Sequence, residues 1–403
     1  MRKAAIVIGC NYGDEGKGMA AVHAAGDAGE KCLNVLINGG AQRGHTVEEP
    51  GGRRHVFHHF GSAAWKGATS CADEDFIVNP LLYYHEKNLL SENLGLHPRL
   101  LVAAGCRVST PWDMMLGQII EENRGNGRHG SCGCGIQETR LRYLNTPWAL
   151  SFEEVSHLSF SGFEDYCRRI IREYIPARMD ELHMAVPPQW RSILSASGLM
   201  ENAWLDLMEM RRTTETYKDW AAMASAWPTI VFEAGQGLAL DENNHRDFPH
   251  LTPSSTTSLA SARRIAALSG ETDTTLLYVT RSYLTRHGAG PFPTECPKES
   301  INPHMEDKTN VPNPHQQSLR YGLFDAQAVL ERTSADTMRS RQVLPALHTT
   351  ILITHLNETA GQLTGSMPLG DFVRHFDQAL YSYDPYSVTG RLDGTVPDQK
   401  TFC

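Results

Sequence analysis

Residues 4–25 read AAIVIGCNYGDEGKGMAAVHAA. A continuous apolar run, residues 4–8, enters a turn built on Gly9, Gly13, Gly16 and Gly18 and leaves through the helix-forming MAAVHAA. Apolarity without alternation means that both faces of a strand are covered, as in a parallel sheet under helices. Glycines at a strand-to-helix turn let backbone N–H groups close on an anion, the helix N-terminus adds positive potential, and Lys17 adds a mobile charge. The stretch therefore predicts a phosphate cradle in an α/β fold. Its spacing is not that of a Walker A loop, and Gly18 stands where a Ser or Thr would hold magnesium. Asp14 would repel phosphates unless it binds the metal or serves as a base.

Outward from this stretch, short runs rich in β-branched residues recur at 33–37, Leu100–Ala103, 229–232, 276–279 and 350–353. They predict a mostly parallel central sheet flanked by helices. Residues 163–175 place Phe163, Tyr166, Cys167, Ile170, Ile171 and Tyr174 at helical spacing with arginines facing away. Residues 147–227 read as wholly helical, an insertion or cap. With no repeat, low-complexity tract or long linker, 1–403 reads as a single elaborated α/β domain.

The 403 residues are 41% hydrophobic, enough for a large core, and the net charge of −9 argues against nucleic acid or an anionic membrane as partner. Nine scattered cysteines, odd in number, suit reduced thiols in a cytoplasm. The first apolar run is too short for a signal peptide, and no run approaches the roughly 18 apolar residues of a membrane span.

A second glycine-rich loop, Asn38-Gly39-Gly40-Ala41-Gln42-Arg43-Gly44-His45-Thr46, follows the next strand. A histidine between glycines near a phosphate loop can donate a hydrogen bond to a transferring phosphoryl group. GDEGKG followed by GG-x-x-x-GHT resembles the adenylosuccinate synthetase family. Three later blocks agree: FEAGQGLALD with FPHLTPSSTTS (232–258), LTRHGAGPFPTE (284–295) and YGLFDA (321–326).

The resemblance implies a purine-nucleotide ligase joining L-aspartate to C6 of a purine nucleoside monophosphate at the expense of a nucleoside triphosphate, with Mg2+, as a homodimer. It makes Asp14 the base at purine N1 and a magnesium ligand, His45 its partner in phosphoryl transfer to O6, and the Gly44 carbonyl a second metal ligand. Gly13, Glu15, Gly16, Lys17, Gly18, Gly44, His45 and Thr46 would hold the triphosphate, with His355, Asn357 and Gly390 at its base. Gln42, Ser131, Cys132, Gln236 and Thr252 fall to the substrate nucleotide, and Gln317 and Arg320 to aspartate. Cys132 stands where the family has a threonine, which weakens one hydrogen bond.

Departures from the family bear on the substrate. The guanine-reading segment Thr-Lys-Leu-Asp is here Thr354-His355-Leu356-Asn357. An amide cannot reproduce a carboxylate's two-acceptor contact, and neutralising a charge-assisted pair costs about 1.5–3 kcal/mol, which favours ATP or dATP over GTP. His58-His59-Phe60-Gly61-Ser62 replaces Pro-Ser-Gly, and Arg320 is the only guanidinium left of an arginine-rich run. Together these resemble the phage branch of the family, which acts on dGMP, while Asp14 keeps open the housekeeping reaction with IMP and GTP. A nucleotide-binding switch is the alternative from another class, but it has no use for FEAGQG or GAGPFPTE. Ligand count speaks against zinc at His55, His58 and His59.

Overall fold

The structure is a computed structural model that describes residues 1–144, 147–305 and 318–390. Its main sheet contains β1 (Arg2–Gly9), β2 (Cys32–Leu36), β3 (Thr69–Ala72), β4 (Leu100–Ala103), β5 (Glu215–Tyr217), β6 (Thr229–Gly237), β7 (Thr272–Arg281), β8 (His348–Thr354), β9 (Gln378–Tyr381) and β10 (Thr389–Gly390). Their spatial order is β10-β9-β8-β7-β1-β6-β2-β3-β4-β5. Every neighbouring pair is parallel except β9 and β10.

The continuous apolar runs produce this arrangement through the pleat. Ile6 and Ile8 pack on one face with Phe232, Leu276 and Ile351, while Val7 joins Ala20, Val231, Leu277 and Leu352 on the other. Side chains alternate faces along a strand, so a strand apolar at every position needs cover on both sides. Helix α1 (Lys17–Ala25) supplies Met19, Ala20, Ala21 and Ala25 to the second face. Burying each aliphatic side chain contributes about 1.5–3 kcal/mol.

A further apolar cluster joins α2 (Pro80–Leu94) and α3 (Pro111–Arg124) to the 147–227 region. Asn79 caps α2 and Thr110 with Asp113 forms a capping box on α3, each followed by proline at the first turn. Phe163, Tyr166 and Cys167 of α4 (Phe160–Arg169) face this cluster, with Ile170 and Tyr174 in the wider turn that follows. The 147–227 region is not wholly helical. After α5 (Ser197–Thr213), Glu215-Thr216-Tyr217 pairs with β4 as the edge strand β5, because the open hydrogen-bonding edge of β4 outweighs a helical continuation.

Because β2, β6, β1, β7 and β8 run parallel, their C-terminal ends open on one side of the sheet, where ligands of open α/β sheets bind. The loops that leave there carry GDEGKG, GGAQRGHT, GQG, the residues after Arg281, and THLN.

Candidate active site

The phosphate loop is shaped by left-handed backbone at Gly13, Asp14 and Gly16. Gly18 admits a neighbouring chain: a Cβ there would lie 2.5 Å from the Thr46 carbonyl oxygen and 3.1 Å from the His45 carbonyl carbon. The loops carrying Asp14 and His45 are thus in backbone contact. No side chain caps α1, leaving its first N–H groups for an anion, and Lys17 begins it, buried. Burial lowers the Lys17 pKa, and Glu15 and Asp14 oppose the shift. Glu15 turns inward, where Oε1 accepts from Asn11 N (2.7 Å) and Nδ2 (3.0 Å), and burial pushes its pKa up to about 7.

Asp14 holds φ 55°, uncommon for a residue other than glycine. Its carbonyl accepts from Arg281 Nε, and its Oδ2 lies 2.6 Å from His287 Nε2. Burial would raise its pKa, but His287, Arg281 and Lys17 bring it to about 2, so the carboxylate is ionised at neutral pH.

His45 is buried against Glu233 of β6: Nδ1 is 2.6 Å from Glu233 Oε1, and Nε2 is 3.3 Å from the Gly235 carbonyl. Burial first and the Arg43 charge second lower its pKa to about 4, outweighing Glu233. Gln42 and Gln236 converge over Gly39, where an added Cβ would lie 2.7 Å from Gln42 Nε2 and 3.0 Å from Gln236 Oε1. Both Gln42 amide atoms and Gln236 Oε1 are buried without hydrogen-bond partners among the described residues. Such groups cost about 1–3 kcal/mol each, so two convergent amides mark a place where a polar ligand would satisfy them. Thr252 is buried, its N–H bonded to Leu240 O at 2.9 Å.

The model of the adenylosuccinate synthetase family matches residues 6–344. The chain belongs to this family. It is therefore a purine-nucleotide:aspartate ligase. Among relatives, the adenylosuccinate synthetase of Nitrosococcus oceani is 27% identical over 314 residues, 76% of this chain and 68% of that protein. That of Hamiltonella defensa is 26% identical over 387 residues, 92% and 83%. In fold the chain matches fully ligated adenylosuccinate synthetase from Plasmodium falciparum (TM-score 0.65, 17% identity, 88% of this chain and 77% of that one). It also matches cyanophage S-2L succinoaminodeoxyadenylate synthetase, solved with dGMP and with dATP as energy donor (TM-score 0.63, 15% identity, 97% and 95%).

Within this adenylosuccinate synthetase frame, the structure shows which side chains meet the expected site residues. Glu233, Arg43 and His287 went unassigned although they lie inside the blocks quoted for the resemblance, and Arg281 lies just before one of them; the sequence does not show which side chain meets Asp14 or His45. Ser131 and Cys132 lie on a loop packed against Gly288 and Ala289, with His129 edge-on to His250 at 5.4 Å. Ser131 Oγ accepts from Gly133 N (3.2 Å), and a hydrogen bond from the Cys134 thiol lowers the Cys132 pKa. Arg320 was expected to hold aspartate. Its Nε and Nη2 pair with Glu295 at 2.8 and 2.5 Å, and Nη1 reaches the Gly288 and Gly290 carbonyls at 3.1 and 2.9 Å. Gln317 lies outside the described residues.

His355 is in left-handed conformation, its Nδ1 2.8 Å from Thr354 Oγ1, which also donates to Glu15 O at 3.0 Å. Burial pushes its pKa well below the usual histidine value. Asn357 is exposed just beyond, and Gly390 is exposed at the end of β10. His55, His58 and His59 gather around Glu86: Glu86 accepts from the His58 N–H (2.9 Å) and His59 N–H (2.5 Å), and His55 Nε2 lies 3.4 Å away. No described helix is long and apolar enough to cross a membrane.

Proposed function

We propose that this ligase joins L-aspartate to C6 of dGMP using ATP or dATP, as a cytoplasmic homodimer, and forms N6-succino-2-amino-2'-deoxyadenylate. The observation that carries the choice of ATP or dATP over GTP is Asn357, an exposed amide just beyond β8 where guanine recognition needs a carboxylate. The fold likeness to an enzyme solved with dGMP and dATP supports dGMP as the monophosphate.

In this reading Lys17 and the Gly13–Gly18 N–H groups hold the triphosphate, and Gln42, Gln236 and Thr252 hold the monophosphate nucleotide. Asp14, its Oδ2 oriented by His287, takes the N1 proton as O6 attacks the γ-phosphorus and the bond to the β-phosphate oxygen breaks. His45 Nε2 exchanges its long bond to Gly235 O for one to the oxygen receiving the phosphoryl group. The aspartate amine then adds at C6, phosphate leaves with the C–O bonding pair, and the amine gives up a proton. Phosphorylation turns a poor leaving group into a good one.

Magnesium draws one or two carboxylates from a protein and the rest of its shell from phosphates and water. Asp14 beside the phosphate cradle, with the exposed Gly44 carbonyl, fits that donor set. Bound there, the ion would neutralise phosphate charge.

Incubating the enzyme with aspartate, Mg2+ and each pairing of dGMP, GMP or IMP with ATP, dATP or GTP tests the proposal. A succinylated product from dGMP with ATP or dATP is expected. Turnover of IMP with GTP alone, which the retained Asp14 favours, would replace it with the housekeeping reaction.

A further inference from the structure

The loop that presents His45 also carries a fully buried arginine. We propose that Arg43 is a positioning residue for phosphoryl transfer, fixing the His45 imidazole from behind by sharing the Glu233 carboxylate with it. Arg43 Nη2 lies 2.6 Å from Glu233 Oε1 and 2.8 Å from His45 Nδ1, and His45 Nδ1 lies 2.6 Å from the same oxygen. In this closed triangle Arg43 Nη2 donates to Nδ1, so the single proton of the neutral imidazole sits on Nε2. Only the Nε2 edge, on a 3.3 Å bond to Gly235 O, is left to turn to a substrate oxygen.

The triangle is rigid on every side. Ser62 donates to both Glu233 oxygens, Oγ to Oε1 at 2.5 Å and N to Oε2 at 3.0 Å. The loop backbone is tied by His58 Nδ1, which reaches the carbonyls of Ala41 (3.1 Å) and Arg43. A guanidinium keeps its charge when buried and offers a planar fork of donors, so it holds a carboxylate in one geometry. An ion pair serving only to anchor the loop would saturate its donors. Here Arg43 Nε and Nη1 have no partner among the described residues, and the one paired nitrogen is the one that also meets His45. Displacing a reacting group by about 1 Å can cost on the order of a hundredfold in rate.

The inference rests on the reading of His45 as the donor in phosphoryl transfer, so Arg43→Met, Arg43→Lys and His45→Asn are measured together. The readouts are steady-state kcat and KM, the 15N ring shifts of His45, and scrambling of 18O between bridging and non-bridging positions of the triphosphate with monophosphate present and aspartate absent. That scrambling requires reversible phosphoryl transfer and nothing later. Arg43→Met is expected to slow kcat and scrambling by about tenfold or more and to shift the His45 resonances. KM for all three substrates should stay within about threefold, and Arg43→Lys should recover part of the loss. Unchanged scrambling in Arg43→Met with His45→Asn inactive overturns the role of Arg43. Unchanged scrambling in His45→Asn overturns the reading beneath it. If Arg43→Met does not fold, Arg43→Lys decides: wild-type kcat with unshifted His45 resonances refutes the proposal, and reduced kcat at unchanged KM supports it.

Discussion

Replacing Glu233 by Gln keeps the side chain's size and removes the charge that Arg43, His45 and Ser62 share. Burial would raise the pKa of this carboxyl, yet Arg43 and His45 hold it at about 2, against 4.5 ordinarily. At about 1.36 kcal/mol per pH unit, that depression corresponds to about 3 kcal/mol of folding free energy. The figure agrees with the roughly 3–5 kcal/mol lost when one partner of a buried ion pair is removed. Since the folded pKa lies below the unfolded one, this stabilisation is fully present above pH 4.5 and is lost as pH falls through about 2. Urea unfolding followed by tryptophan fluorescence reads it directly. With a slope of about 3 kcal/mol per molar urea, the Glu233→Gln midpoint at pH 7 should fall by about 1 M. The gap to wild type should narrow as the medium is acidified below pH 4.5. An unchanged midpoint at pH 7, or a gap indifferent to acid, would mean that Glu233 is not the ionised centre of this network.

Asp14→Asn should lower kcat by about 10²–10⁴-fold while calorimetry still detects nucleotide binding; full activity would remove Asp14 as the base. Asn357→Asp should raise the kcat/KM ratio of GTP over ATP by roughly tenfold or more, the equivalent of about 1.5–3 kcal/mol from a charge-assisted contact. A ratio that stays put would show that the base of the triphosphate is read elsewhere. Gly18→Ala places a methyl group 2.5 Å from the Thr46 carbonyl and should raise KM for the triphosphate and lower the unfolding midpoint; an unaffected enzyme would mean that the two loops part without cost.

The strands at the centre of the sheet were legible because each carries a continuous apolar run, and that pattern requires cover on both faces: residues 4–8, 229–232 and 276–279 all lie within central strands. The edges were not. Glu215–Tyr217 carries no apolar run and becomes a strand only because β4 offers it an open edge. Inside the sheet, Thr69–Ala72 was missed as well, because its polar Thr69 and Ser70 break the apolar pattern although the sheet buries them. The same division runs through the active site. Glycines announced the two loops because a phosphate cradle needs backbone that side chains would obstruct, and Asp14 and His45 stood out as reactive groups among them. That His287 holds Asp14, that Glu233 and Arg43 hold His45, and that Arg320 is taken by Glu295 are contacts between residues 25 to 273 positions apart. The local chain determines which backbone can approach an anion; the protonation and aim of the groups beside it depend on charges brought from distant strands, and those distances exist only in the folded sheet.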